Sequence, residues 1–259
     1  MDNCVVGQHL LYSDNHPTHA FNGALAGDLF LPEEWSNDRA RCRKAGIPDD
    51  VVHRPKRRIA LNQLKLAMGH DVRLWFVTFD EDYGKVPQFW PEWDALGQRA
   101  IGEAPKHFRV FARRPICRSQ QNAHAAKRVD PLCRFSPLFR EQPWRRVTVK
   151  DTTRGPLVWE VKAARVHRAD ASQQPSRPTD RQYWLIVARN PETGEIKYFI
   201  SNAPQCVPVE ELLLAAFVRW RIELWFERAK QEAGLARSRF APIAVSCGMG
   251  SARDWRCIS

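Results

Sequence analysis

Apolar and polar positions follow three different rhythms along this chain, and each rhythm predicts its own kind of element. Residues 3–13 (NCVVGQHLLYS) and 20–32 (AFNGALAGDLFLP) read as two strands linked through the turn-forming Asp14-Asn15-His16-Pro17. A short charged helix opens at Pro32-Glu33-Glu34-Trp35 and stops around Gly46-Ile47-Pro48. From Lys56 to His70, Leu61, Leu64 and Ala67/Met68 recur at helical spacing, which predicts an amphipathic helix with a basic start. Leu74 to Phe79 is a continuous apolar run, the mark of a strand covered on both faces. It ends in Asp80-Glu81-Asp82-Tyr83-Gly84. A helix over 87–96 and a strand over 99–103 follow. This strand-helix-strand rhythm predicts an α/β core with carboxylates at strand ends, where such folds place their sites.

From residue 104 the rhythm changes. β-like runs cover 146–150, 158–167, 182–190 and 196–201, separated by hairpin turns at Asp151 to Pro156 and Asn190 to Gly194 and by a polar loop tip over 169–181. One long helix is then expected from Pro208 to about Gly234. Within it, Glu223 lies about 40° and Lys230 about 20° around the axis from Arg219, so three charged side chains share one stripe. Leu213, Phe217, Trp220 and Leu224 form a neighbouring band suited to docking on a core. The stripe has two readings: a carboxylate set between cations for metal and phosphate, or an ordinary surface salt-bridge ladder. The tail from Ala236 onward has no period, and no element is expected there.

Composition narrows the function classes. The 259-residue chain is 44% hydrophobic with ten tryptophans, enough to build a real core. No apolar run approaches the roughly 20 residues of a membrane span, and the N-terminus lacks the plan of a signal peptide. An intracellular protein away from membranes is expected. Seven cysteines without any Cys-x2-Cys pair argue for simple thiols rather than a disulfide scaffold or structural zinc. The formal charge is +11, and eleven Lys/Arg against two acids lie between Lys106 and Arg146, interleaved with Phe108, Phe111, Phe135, Phe139 and Trp144. Clustered cations with aromatics favour nucleic acid, with Arg113 and Arg114 as candidate phosphate contacts. No nucleotide-binding Gly-rich loop, serine-hydrolase elbow or spaced His pair occurs.

Four stretches together carry a resemblance. They are Gly27 to Trp35 with Arg43 to Pro48; Val77 to Gly84; Lys150 with Pro156 to Lys162; and Tyr198 to Pro204 leading into Arg219 to Lys230. The chain resembles bacterial insertion-sequence transposases of the DDE superfamily, of the 701-type group. The resemblance implies an RNase H-like α/β core interrupted by a β-rich insertion before the last catalytic helix. Its parts would be a core segment over 1–104 lacking the first strand, a basic insertion over 105–205, the catalytic helix over 206–235 and a divergent tail over 236–259.

The resemblance further implies that Asp80 and Glu223 are catalytic carboxylates that bind Mg²⁺ or Mn²⁺ in a two-metal site. Arg219 and Lys230 would hold DNA phosphate, and the tyrosine of the family's signature is replaced by Ala216. The implied reaction is cleavage of transposon ends and strand transfer into double-stranded target DNA, in a cytoplasmic, nucleoid-associated protein able to form homodimers. Asp2, Asp14 and Asp28 do not match the family's first aspartate, so a truncated, inactive copy with an open sheet edge is expected. The competing expectation is a non-catalytic DNA-binding remnant or regulator.

Overall fold

In a computed structural model the chain is described over residues 6–14, 21–86, 88–114, 126–152, 155–170, 176–232 and 239–246. It forms a mixed α/β structure and divides into two compact units, Met1–Trp75 with Val218–Met249, and Phe76–Phe217. No described helix is long and apolar enough to cross a membrane.

The first unit begins with β1 (Val6–Ser13) and β2 (Asn22–Phe30), an antiparallel pair whose register runs from Val6 opposite Phe30 to Ser13 opposite Asn22. Two short helices, α1 (Glu33–Asn37) and α2 (Arg39–Lys44), replace the single charged helix of the sequence reading. The split falls at Asp38, whose carboxylate accepts from the Arg41 amide at 3.0 Å and starts a new helix. Helix α3 (Lys56–Gly69) buries Ile59, Leu61, Leu64 and Ala67, as its spacing predicts. Its Gln63 donates to the Gln8 carbonyl at 2.8 Å.

The second unit starts with β3 (Phe76–Phe79), buried at all four positions, as a continuous apolar run requires. Helices α4 (Glu81–Gly84) and α5 (Phe89–Ala95) lead to β4 (Ala100–Glu103), which pairs parallel with β3. The basic region holds β5 (Arg109–Phe111), β6 (Lys127–Arg128), α6 (Val129–Phe135) and α7 (Pro137–Arg140), none of them expected from the sequence pattern. Then come β7 (Arg145–Thr152), β8 (Gly155–Asp170), β9 (Arg177–Arg189) and β10 (Ile196–Ser201). The strand order in this unit is β3-β4-β10-β9-β8-β5-β6, with β7 also paired to β8. The polar tip expected over 169–181 is shorter than its composition suggested. Thr179 explains this: its carbonyl lies 2.7 Å from His167 Nδ1 and its hydroxyl accepts from the Arg168 amide at 3.1 Å, carrying the ladder past a bulge.

The long terminal helix is two helices, α8 (Val209–Phe217) and α9 (Trp220–Glu232). At the break the amides of Arg221 and Ile222 bond three residues back, to Val218 and Arg219, both at 3.0 Å. The break changes which residues dock. Phe217 packs on Trp159 and Phe199, while Ile222 and Phe226 pack with Leu11 and Trp225 in the first unit. Leu224, expected in the docking band, is 37% exposed.

The tail also departs from expectation. Arg239–Ser246 is a strand, β11, paired parallel with β1 from Val6 opposite Arg239 to Ser13 opposite Ser246. The β1 edge expected to be open is therefore covered. Asp2 and the tail beyond residue 246 lie outside the described residues. Of the three described cysteines, Cys42 and Cys133 are free thiols, whereas Cys206 is disulfide-bonded, contrary to the all-thiol expectation.

Candidate active site and nucleic-acid interface

Asp80 follows the last residue of β3 and is half-buried. It is the N-cap of α4: its Oδ1 accepts from the amides of Asp82 at 3.0 Å and Tyr83 at 3.4 Å. Asp80 therefore has a structural, turn-forming role. It does not compete with a chemical role, since a cap fixes the orientation of the carboxylate. Asp82, two positions on, is engaged instead by Lys85 at 2.7 Å on the surface. That contact raises Lys85 above the usual lysine value.

The turn is braced from behind by an aromatic cluster. Phe79 meets Phe89, Trp90 and Trp93 with ring centroids 5.1, 5.3 and 5.9 Å away. Gly102 on β4 leaves room for it, because a Cβ there would come within 2.1 Å of the Phe79 ring. Phe89, Trp90 and Trp93 of α5 and Gly102 of β4 thereby pack against Phe79, the residue before Asp80.

Glu223 and Arg219 belong to the other unit. Glu223 is 65% exposed and accepts from Arg219 at 3.4 Å, the i,i+4 ion pair of the surface-ladder reading. Arg219 precedes α9 rather than lying inside a continuous helix. The side chain of Lys230 lies outside the described residues. Asp80 lies in the second unit and Glu223 in the first.

The cationic face of the second unit contains contacts that sequence spacing does not reveal. Trp144, just before β7, has Lys162 Nζ 4.7 Å and the Arg189 guanidinium 4.4 Å from its ring centroid. Glu160 accepts from Arg189 Nε at 3.0 Å and pairs with Arg146 at 3.5 Å, and these cations hold its carboxyl below the usual glutamate value. Arg113 is exposed after β5, and Arg114 pairs with Asp180 on β9 at 2.7 Å. The signal for Lys162 and Arg189 was available as alternation along β8 and β9, but only strand pairing shows that they share a face with Trp144.

With this geometry in place, the comparison with known families is decisive. Residues 1–156, more than half the chain, match the model of the DDE superfamily endonucleases. The chain belongs to that family. No characterised protein matches it. The family match contains Asp80 and ends before Glu223.

DDE superfamily endonucleases act on DNA and generally depend on a divalent metal ion. The donor chemistry at Asp80 and Glu223 suits such an ion, since hard cations take carboxylate oxygens. Among the described residues no group of three or more His, Cys, Asp or Glu could hold a metal.

Proposed function

We propose that this DDE endonuclease family member is a transposase-like protein of the 701-type group, with an RNase H-like core and a β-rich insertion over 105–205. In this reading Asp80 and Glu223 are the catalytic, metal-binding carboxylates for Mg²⁺ or Mn²⁺. Arg219, Lys230, Arg113 and Arg114 hold DNA phosphate. The reaction class is hydrolysis of a phosphodiester at a transposon end, followed by attack of the freed 3′-hydroxyl on target DNA. The observation that carries the reading is the family match across residues 1–156, with Asp80 in it held as a cap at the end of a fully buried strand.

The same reading makes the chain inactive in strand transfer by itself, because two carboxylates fall short of the ligand set of a paired-metal centre. It would work on chromosomal DNA at the nucleoid, with homodimers allowed. A purified-protein assay with end-containing DNA and Mg²⁺ or Mn²⁺ tests this. No strand transfer is expected, and transfer that disappears in Asp80→Ala and Glu223→Ala would overturn the inactivity.

A second reading is a non-catalytic DNA-binding protein. It is favoured by the exposed Arg219–Glu223 pair and by the cationic face around Trp144, which needs no carboxylate. Salt-sensitive DNA binding that survives Glu223→Ala but falls on neutralising Arg113 and Arg114 supports it.

A further inference from the structure

We infer that Trp90, held by the buried guanidinium of Arg168, is a positioning residue for Asp80. The inference rests on the reading of Asp80 as a site carboxylate and extends it to residues in the core of the same unit.

The chain of contacts is continuous. Trp90 is fully buried, and its indole N–H donates to the Gly84 carbonyl at 3.1 Å. Gly84 ends α4, and its own amide donates to the Asp80 carbonyl at 2.9 Å. Helix α4 is four residues long. A single turn is marginal by itself, and its last carbonyls have no partner within the helix. The Trp90 bond therefore closes the turn that Asp80 opens.

Arg168 then fixes Trp90. It is 2% exposed, with its guanidinium carbon 5.4 Å from the Trp90 ring and 5.0 Å from the Tyr183 ring. Its Nη1 donates to the Tyr183 hydroxyl at 3.4 Å, and that hydroxyl donates in turn to the Asp94 carboxylate. Asp94 also accepts from Arg181 and Asn202, both at 3.0 Å. The Asn202 side chain accepts from the Ala100 amide at 2.7 Å, at the start of β4. An apolar side chain could fill the place of Arg168 without the desolvation cost of a buried charge. A cation over an indole does something a methyl group cannot: it is attracted to the ring face and strengthens the N–H as a donor.

The test uses the full chain, wild type and three variants: Trp90→Phe, Arg168→Met and Trp93→Phe. Trp93 is equally buried in α5 but is not the residue that bonds Gly84, so its variant reports what plain core damage does. Hydrogen exchange of the Asp82 and Tyr83 amides reads the cap directly. Mn²⁺ broadening of the same amide signals reads the carboxylate, and thermal melting reads overall stability.

Trp90→Phe and Arg168→Met are expected to speed exchange at both amides and to require about fivefold more Mn²⁺, the effect of about one hydrogen bond. Trp93→Phe is expected to lower the melting temperature and, because it reaches the cap only through its contact with Phe79, to change both amide readouts far less than Trp90→Phe does. Unchanged exchange in Trp90→Phe and Arg168→Met, or an equal change in Trp93→Phe, overturns the inference. If Mn²⁺ does not broaden the wild-type signals, the metal-binding reading of Asp80 fails separately, and exchange alone decides the role of Trp90.

Discussion

Gly84 and Glu103 meet backbone to backbone: a Cβ placed on Gly84 would lie 2.1 Å from the Glu103 carbonyl oxygen. The contact seats the turn after Asp80 directly on β4, so the carboxylate's position depends on a residue with no side chain. Backbone cannot move aside as a flexible side chain would. Gly84→Ala is therefore expected to destabilise the protein by about 1–3 kcal/mol, the cost of overpacking a tight core. A lowered urea midpoint with an unchanged slope is the expected signature. A midpoint equal to wild type would mean that α4 does not sit against β4.

His9 links pH to stability in the first unit. It lies on β1 with ring centroids 6.2 Å from Trp225 and 5.8 Å from Phe226, and a Cβ on Gly27 would come within 2.9 Å of its Nδ1. Burial lowers its pKa below the ordinary value. The unfolded chain, at about 6.5, therefore binds the proton more readily than the folded one. Stability is full above the unfolded value, falls as pH drops from there through the folded value, and levels off below it. Melting temperatures between about pH 7.5 and pH 5 are expected to fall, and His9→Phe to reduce that slope. Equal slopes in the two proteins would remove His9 as the cause.

Most elements up to residue 103 were legible because they carry a local rhythm, although the charged helix divides into α1 and α2 and the single turn α4 was not expected. The two strand-like runs joined by a turn-rich segment, the helical spacing of Leu61, Leu64 and Ala67, and the apolar run into Asp80 need no distant partner to be read. What was not legible depends on tertiary choice. The stretch from Phe217 to Trp220 keeps a helical pattern with no Gly or Pro, yet the helix breaks there, with Phe217 packed on Trp159 in one unit and Ile222 buried in the other. Pro242 argues against a strand in the tail, yet β11 pairs with β1 across its full length. At the site, Asp80 was legible as a carboxylate at a strand end. Its support by Trp90, Gly84 and Gly102 was not, because these contacts depend on how α5 and β4 pack behind β3.

The shifted docking face of α9 yields a direct contrast. Ile222 and Phe226, 3% and 7% exposed, anchor the helix with Leu11, whereas Leu224 points to solvent. Phe226→Ala is expected to cost about 3–5 kcal/mol, and Ile222→Ala about 2–5 kcal/mol. Leu224→Ala is expected to stay within about 0.5 kcal/mol of wild type. Denaturant unfolding of the three variants checks the order. If Leu224→Ala were the most damaging, the uninterrupted helix expected from the sequence would be the better description.

Binding to DNA should follow the cationic face rather than net charge. Arg113 is exposed, Arg114 is held by Asp180, and Lys162 and Arg189 are gathered at Trp144. A cation that neutralises a phosphate releases a counterion, and its loss lowers the slope of log K against log salt by about 0.9 on duplex DNA. Arg113→Gln is expected to show about that change, and Arg114→Gln a smaller one, since its charge is already partly matched. The double variant Lys162→Gln/Arg189→Gln is expected to lower the slope by about the same amount as Arg113→Gln if Lys162 turns from Trp144 to phosphate, since the charge of Arg189 is already matched by Glu160. Titrations of a fluorescent duplex at several salt concentrations read these slopes. A double variant with the wild-type slope would show that the Trp144 cations serve the fold alone and that DNA lies on another face.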